Sequence, residues 1–486
     1  MFTSKSDRRT FLRNAMRTAS AAALSGAALP LAGCARKTTD DPSIPNIILI
    51  TADDLGWKDL SCYGNREINT PNIDRIAREG AVCTRAFVVS SSCAPSRASF
   101  MTGQYPHTNG VTGLTHIHRS RLLMPFYQTL QGLLSRAGYN TALQGKWHPS
   151  PYLPTSWYGY RERLSGVLPK DWKIDNGKRA DEFIRQNQGN RFFMEINFMH
   201  NHRDNRGEFS FDPEFPVDPE DVHVPHYWTL PDWPEIRIET AKFYSQTMKM
   251  DSIIGEILDT LDDTGLAENT LVMFVSDNGP PFPGNKMTLY DRGTGTPLIA
   301  RWPGKIRPGT VITGMINTID IMPTLAEAAG LKVPGDVQGR SFMPYLTGAK
   351  KGPFRNAVFM EMTDHVHYLP TRAARTERWK YIRNYSDIAK GLDQCSHMEW
   401  AHRVCELPNQ PWKKPRVREE FYDLSRDPDE QQNLAGNPRY AKRLKKMREL
   451  LDSHMKQTGD PFLGKTFTRD YNPEMYKPST QGAKYK

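Results

Sequence analysis

The chain has 486 residues, with 64 Lys and Arg against 54 Asp and Glu, a formal net charge of +10, and 38% hydrophobic and 10% aromatic residues. That length exceeds a single hydrophobic core and calls for one large domain of roughly 300 residues plus a smaller one. A mean hydropathy of -0.61, with no long apolar run beyond the N-terminus, excludes membrane-spanning helices. The lack of an arginine-rich tract or an aromatic-interleaved basic stripe excludes nucleic acid as a partner.

Near its N-terminus, from Ser6, the chain reads SDRRTFLRNAMRTASAAALSGAALPLAGCARK: paired Arg8 and Arg9, then an Ala-rich stretch, then Leu31-Ala32-Gly33-Cys34. This reads as a bacterial export signal over residues 1–33, of twin-arginine type, with a lipoprotein box that lipidates Cys34. Residues 34–45 form a polar tether. The expected location is the periplasm or cell envelope, with export machinery as a partner and the membrane touched only through the lipid. Removing residues 1–33 takes away Lys5, Arg8, Arg9, Arg13 and Arg17 against Asp7, so the net charge falls from +10 to +6. A basic body of this kind suits a polyanionic substrate. Of the six cysteines, Cys62, Cys83, Cys395 and Cys405 have no assigned chemistry and leave room for two disulfides or for free buried thiols.

Residues 46–350 read as an α/β domain. Asn46–Thr51 is a continuous apolar run, as in a parallel strand covered on both faces. Thr70–Ala77 opens a helix with Pro71 in its first turn. Phe192–Met199 and Thr270–Ser276 read as further strands, and Ala241–Asp263 as a helix. Residues 351–486 form a smaller α+β unit with short strands at Ala357–Met362 and Trp379–Arg383 and a helix near 437–457. The segment 384–416 lacks periodicity and reads as an excursion loop.

Asp53-Asp54 directly follows the first buried strand, and Asp277-Asn278-Gly279 follows a later one. In an open α/β sheet the strand C-terminal ends share one crevice, so these residues can converge there. Their donors are all oxygen, which favours one hard cation, Ca²⁺ or Mg²⁺, over zinc; calcium is the expectation. Taken singly, Asp-Asp is a common helix cap and Asp-Asn-Gly a common turn. Between them stands SSSCAPSRASFMTGQ, with Cys93 and Arg97. Lys146 and His148, in Gln144-Gly145-Lys146-Trp147-His148, are two residues apart and share a face on an extended segment. His202 and His200 end the strand near residue 199, where an imidazole suits proton transfer to a leaving group. Lys286 lies nine residues beyond Asp277.

Together these motifs resemble those of the type I sulfatases, from about Asn46 to about Pro461. The resemblance implies that Cys93 is oxidised to Cα-formylglycine by a maturation enzyme, its hydrated aldehyde being the nucleophile. It further implies that Asp53, Asp54, Cys93, Asp277 and Asn278 hold one Ca²⁺, that Arg97 steadies the hydrate, and that Lys146, His148 and Lys286 contact the sulfate and hydrate. His202 is then the acid, with His200 the second choice. Within the family the nearest branch is the N-sulfoglucosamine sulfohydrolases, through SSCAPSRASFMTGQYPHTNGVTGL, VSDNGPPFPGNKMTLY, Leu369–Arg375 and YDLSRDPDEQQNLAGNPRY. The chain has Lys286 where that branch has Arg, and lacks Asp-Pro before His202. The resemblance implies an alkaline-phosphatase-like α/β sandwich with a C-terminal antiparallel sheet, in which Asp364, His365 and Arg372 contact the sugar. The expected substrate is the N-sulfate of glucosamine in a heparan-type saccharide.

Three other readings stay open. One is an O-sulfatase on another sulfated polysaccharide. A phosphoesterase of the same fold would use two zinc ions, but Asn278 stands where a zinc-ligating His is usual. A non-catalytic saccharide-binding lipoprotein would leave Cys93 a thiol.

Overall fold

Eight strands build the main sheet: β1 Asn46–Ala52, β2 Ala81–Cys83, β4 Asn140–Gly145, β5 Glu162–Arg163, β6 Phe192–Phe198, β7 Thr270–Ser276, β8 Leu298–Arg301 and β9 Thr310–Ile312, in the order β5-β4-β6-β1-β7-β8-β2-β9. The structure is a computed structural model and describes residues 44–467, apart from 116–121, 126–127, 152, 166–175, 205, 366–367, 388–397 and 408–415. The export signal, Cys34, nearly all of the tether and Cys395 lie outside the described residues. Five neighbouring strands, β5 to β7, run parallel, whereas β8 is antiparallel to both of its neighbours. A short pair, β3 Ala86–Phe87 and β10 Ile316–Asn317, lies apart from this sheet.

The central strand shows why its sequence is apolar throughout. Ile48, Ile50 and Ala52 enter one core with Ile73 and Ile76 of helix α1 (Pro71–Arg78) and with Phe243, Ile254 and Ile257 of a 30-residue helix. Ile47 and Leu49 enter a second core, with Ala94 and Ala98 of α2 (Cys93–Thr102), Leu130 and Leu134 of α3 (Leu130–Arg136), and further helices. Helices thus cover both faces, as a doubly buried strand requires. Each fully buried Ile or Leu contributes roughly 1.5–3 kcal/mol relative to exposure. On the first face lie α4 (Asn176–Gln186) and α5 (Pro234–Asp263); α6 (Ile321–Ala328) lies on the second. Helix α5 begins seven residues before the expected start, because Pro234 occupies its first turn, where a missing N–H costs nothing.

A second sheet is antiparallel, in the order β11 (Ala357–Asp364), β12 (Tyr368–Thr376), β13 (Trp379–Asn384) and β14 (Glu419–Asp423). One face, with Val358, Met360, Ala373 and Ile382, joins the large core. The other, with Ala374, Tyr381 and Phe421, lies under Leu444, Met447, Leu451 and Met455 of α7 (Ala441–Thr458). The segment expected as an excursion loop contains an eight-residue helix, Glu399–Glu406, anchored by buried Trp400, Ala401 and Val404. Cys62, Cys83, Cys93 and Cys405 are all free thiols.

The parallel register positions the site. Gly145 pairs with Asn197, Ala52 with Phe198, and Ala52 with Ser276. Four strand ends therefore finish in one row, and the residues that follow them leave the sheet at one edge.

Candidate active site

Asp53 and Asp54 leave β1 at that edge, and Asp277 and Asn278 leave β7 beside them. Asp277 N–H donates to Ala52 O at 3.1 Å, and Asp54 N–H donates to Asp277 Oδ1 at 3.1 Å, so the two turns are tied together. Asp54 takes φ +64°, a left-handed conformation uncommon outside Gly, Asn and Asp. Asn278 Nδ2 donates to Asp54 Oδ1 at 2.7 Å. All four residues are fully buried.

Cys93 is the first residue of α2, a helix buried along its whole length, so the site faces the positive end of a helix. Its Sγ lies 3.9 Å from Asp54 Oδ1. One ligand atom each from Asp53, Asp54, Cys93 and Asp277 fall within 4.8 Å of one another. Burial, reinforced by the carboxylates of Asp53 and Asp277 and only partly offset by Lys146 and Lys286, pushes the Cys93 thiol well above its usual range. A thiol so placed stays protonated and is a poor nucleophile in its own right.

Each carboxylate has one cationic partner. Lys146 Nζ bonds Asp53, Lys286 Nζ lies 2.8 Å from the Asp54 carboxylate, and Arg97 Nε donates to Asp277 Oδ2 at 2.7 Å. Burial alone would raise Asp53, but the charges of Lys146, His202, Arg97 and Lys286 hold it well below the usual carboxylate range. Asp277 goes the other way, to about 7, through burial and the negative charge of Asp53. Several polar atoms here are left over: Asp53 Oδ1, Asn278 Oδ1 and Arg97 Nη1 and Nη2 are buried without a hydrogen-bond partner. Buried polar groups are ordinarily paired, so orphaned oxygens beside three carboxylates fit a bound cation, and the free guanidinium nitrogens fit an anion.

Lys146 reaches Asp53 because β4 stops at Gly145. That glycine has φ +82°, and a Cβ there would lie 2.0 Å from Asn197 O, so no other residue fits. Trp147 turns into the core against Tyr158 and Tyr160, and His148 follows, buried, with its carbonyl held by Thr115 Oγ1 at 2.6 Å. Lys286 sits on a turn whose next residue, Met287, takes φ +69° and donates to Ser91 O at 3.1 Å, two residues before Cys93.

The two histidines after β6 part company. His202 Nε2 lies 4.0 Å from Asp54 Oδ2, and its Nδ1–H donates to Arg203 O at 2.6 Å. Burial and the charge of Lys146 lower its pKa to about 4. His200 packs its ring on Phe198 instead, with centroids 5.5 Å apart.

Of the three residues expected on the sugar, His365 is closest to the chemistry: its Nδ1 lies 2.8 Å from Ser92 Oγ, beside Cys93. Asp364 is buried, with its N–H donating to Thr112 O at 3.1 Å. Arg372 is engaged by the fold itself. Its Nε and Nη2 donate to Asp460 at 2.5 and 3.1 Å, and its Nη1 donates to Met362 O and Thr371 O, so the whole guanidinium is consumed in the fold. The residues that sequence reasoning passed over are Ser91 and Ser92, which hold the Lys286 turn and His365, and Arg203. For Arg203 the signal was its place directly after His202.

This fold and this convergence are those of a known class. The family described as Sulfatase matches residues 45–331, and the family described as N-sulphoglucosamine sulphohydrolase, C-terminal, matches residues 284–392. The chain belongs to the sulfatase family and is a hydrolase acting on a sulfate group. An ulvan-active sulfatase of Formosa agariphila is 32% identical over 422 residues, covering 86% of this chain and 81% of that one. The N-sulphoglucosamine sulphohydrolase of Homo sapiens is 30% identical over 463 residues, covering 86% and 91%. A solved structure in complex with its substrate, D-glucosamine-2-N,6-O-disulfate, shares the fold with a TM-score of 0.67 at 22% identity, covering 86% of this chain and 99% of that one. Another, from glycosaminoglycan metabolism in Bacteroides thetaiotaomicron, has a TM-score of 0.70 at 20% identity, covering 86% and 98%.

Proposed function

We propose that this sulfatase hydrolyses the N-sulfate of glucosamine in a heparan-type saccharide, using a formylglycine made from Cys93. The observation that carries the formylglycine reading is the Cys93 Sγ held among three carboxylates, where it is too hard to ionise to serve as a thiolate. As a hydrated aldehyde, residue 93 supplies one hydroxyl for attack on sulfur and a second for release of sulfate. Oxidation requires a maturation enzyme, and free Cys62, Cys83 and Cys405 accord with folding in a reducing cytoplasm before twin-arginine export. The proposed destination is the periplasm or cell envelope, anchored through lipidated Cys34.

Asp53, Asp54, Asp277 and Asn278 are the ligands we propose for one Ca²⁺, with residue 93 completing the set. When bound, the ion lowers the pKa of an attacking hydroxyl and polarises a sulfuryl oxygen. Lys146 and Lys286, each paired with a carboxylate that a cation would take over, supply two ammonium donors for sulfate oxygens. Arg97, with Nη1 and Nη2 unspent, faces the hydroxyls of residue 93, and His148 stands in the same loop as Lys146. His202, its Nδ1–H fixed on a carbonyl, presents Nε2 to the leaving group; the negative charge of a bound sulfate favours its protonated form. His365 and Asp364 stand where β11 ends, and His365 touches the residue before the nucleophile.

The match to the N-sulphoglucosamine sulphohydrolase C-terminal family supports the amine leaving group. A second reading, an O-sulfatase, is favoured by Lys286, which stands where the sulfohydrolase branch has Arg. Sulfate release from N-sulfated and 6-O-sulfated glucosamine separates them: release from the N-sulfated sugar is expected, and release from the O-sulfated sugar alone overturns the proposal.

A further inference from the structure

We infer that Arg203 is a positioning residue that holds His202 and the Lys286 turn together as one unit on the leaving-group side of the site. Its side chain is fully buried, with 0% of its surface exposed, and it pairs with Glu239 of α5, itself 8% exposed. Nε donates to Pro281 O at 3.0 Å and Nη1 to Gly207 O at 2.9 Å. The guanidinium lies 4.0 Å from the ring centroid of Phe209 and 4.9 Å from that of Phe282, and Phe282 stacks on Trp228 at 4.1 Å.

Two links run from this buried fork to the chemistry. The backbone carbonyl of Arg203 accepts the Nδ1–H of His202 and so selects its tautomer and the direction of Nε2. The carbonyl of Pro281, held by Nε, belongs to a turn closed by Lys286 N–H on Pro280 O at 3.2 Å and by Phe282 N–H on Pro280 O at 2.8 Å. His202 Nε2 and Lys286 Nζ both end at the Asp54 carboxylate, at 4.0 and 2.8 Å. The other half of the site, Asp53 with Lys146 and Asp277 with Arg97, hangs on β1, β4, β7 and α2 rather than on the side chain of Arg203.

A purely stabilising role explains less. Burying an Arg–Glu pair is costly, and apolar residues of similar volume often serve stability as well or better. What apolar residues cannot supply is a planar fork that grips a carbonyl of one loop while its own backbone orients the histidine of another.

The inference rests on His202 serving the leaving group, and its test keeps the two apart. Matured wild type, Arg203→Lys, His202→Gln and the double variant are assayed on a sulfated glucosamine and on nitrophenyl sulfate, whose leaving group needs no proton. Arg203→Lys is expected to lose about ten- to a hundred-fold in kcat on the sugar and several-fold less on the aryl ester. Added to His202→Gln it is expected to cost only the smaller, leaving-group-independent share that it costs on the aryl ester, the share carried through the Lys286 turn. Glu239→Gln, which loosens the fork without removing it, should show the same selectivity at smaller size, with unfolding midpoints recorded for every variant. Equal loss on both substrates, or full additivity in the double variant, overturns the inference. If His202→Gln itself loses both substrates equally, the acid role fails, whereas the additivity still decides whether Arg203 acts through His202.

Discussion

The carboxylate cluster at the strand ends and the cluster of His107, Glu361 and Asp460 both gather ligand-type atoms within 4.8 Å of one another. The second joins the helical turn Pro106–Asn109 to β11 and to the end of α7, and it is closed. Glu361 accepts from His107 N–H at 2.9 Å and from Nδ1 at 2.5 Å, His107 Nε2 faces Thr458 O at 3.3 Å, and Asp460 takes the fork of Arg372. Both ring nitrogens of His107 face acceptors, an arrangement that suits an imidazolium, and against the lowering effect of burial the charges of Glu361 and Asp460 raise its pKa. At the strand ends, by contrast, Asp53, Asn278 and Arg97 keep buried polar atoms without partners. Similar side chains make a clip where every valence is used and a site where some are left for what binds.

Removing the proposed nucleophile is the hardest blow to the open cluster. Cys93→Ala is expected to lose activity on the order of 10⁴-fold or more while unfolding near the wild-type temperature, since a small buried side chain replaces another. Survival of activity would show that the open cluster is not the site. Next in size, chelation with EGTA should abolish sulfate release and lower the unfolding midpoint, with Ca²⁺ restoring both; Asp53→Asn should weaken that rescue. A chelator that changes neither property would make the open cluster another clip.

The closed cluster should respond in stability instead. Arg372→Met strands the buried Asp460 and is expected to cost about 3–5 kcal/mol by denaturant unfolding, with kcat on an aryl sulfate nearly kept. Arg372→Met with Asp460→Leu should recover much of that loss; a large fall in kcat without loss of stability would return Arg372 to the substrate. The smallest effect is the pH dependence of the clip. The folded pKa of His107 is raised, so the folded state binds the proton more tightly than the unfolded one. Its stabilisation is complete below about pH 6.5, the ordinary imidazole value, and is lost as pH rises through the raised pKa. His107→Gln should flatten that slope relative to wild type, and parallel slopes would contradict the imidazolium.

The same contrast explains what could be read from the chain alone. Asp53-Asp54 and Asp277-Asn278 were legible because an apolar run that ends in carboxylates marks the edge of a parallel sheet, and the register then brings such ends together. The pairing of Arg372 was hidden because its partner Asp460 lies 88 residues away, across a sheet face that no local pattern reveals. His365 and Ser92 are 273 residues apart, so their contact was equally hidden even though His365 itself was a candidate. Trp400, Ala401 and Val404 do carry helical spacing, but over only eight residues flanked by Pro, Cys and Trp.

If Cys93 is a precursor, the mass of its peptide records the conversion. Taken from the mature protein of the native host, the peptide spanning Cys93 should be about 18 Da lighter than its sequence, the loss expected when CH₂SH becomes CHO. A peptide of unshifted mass, from protein that still releases sulfate, would mean that Cys93 acts unmodified.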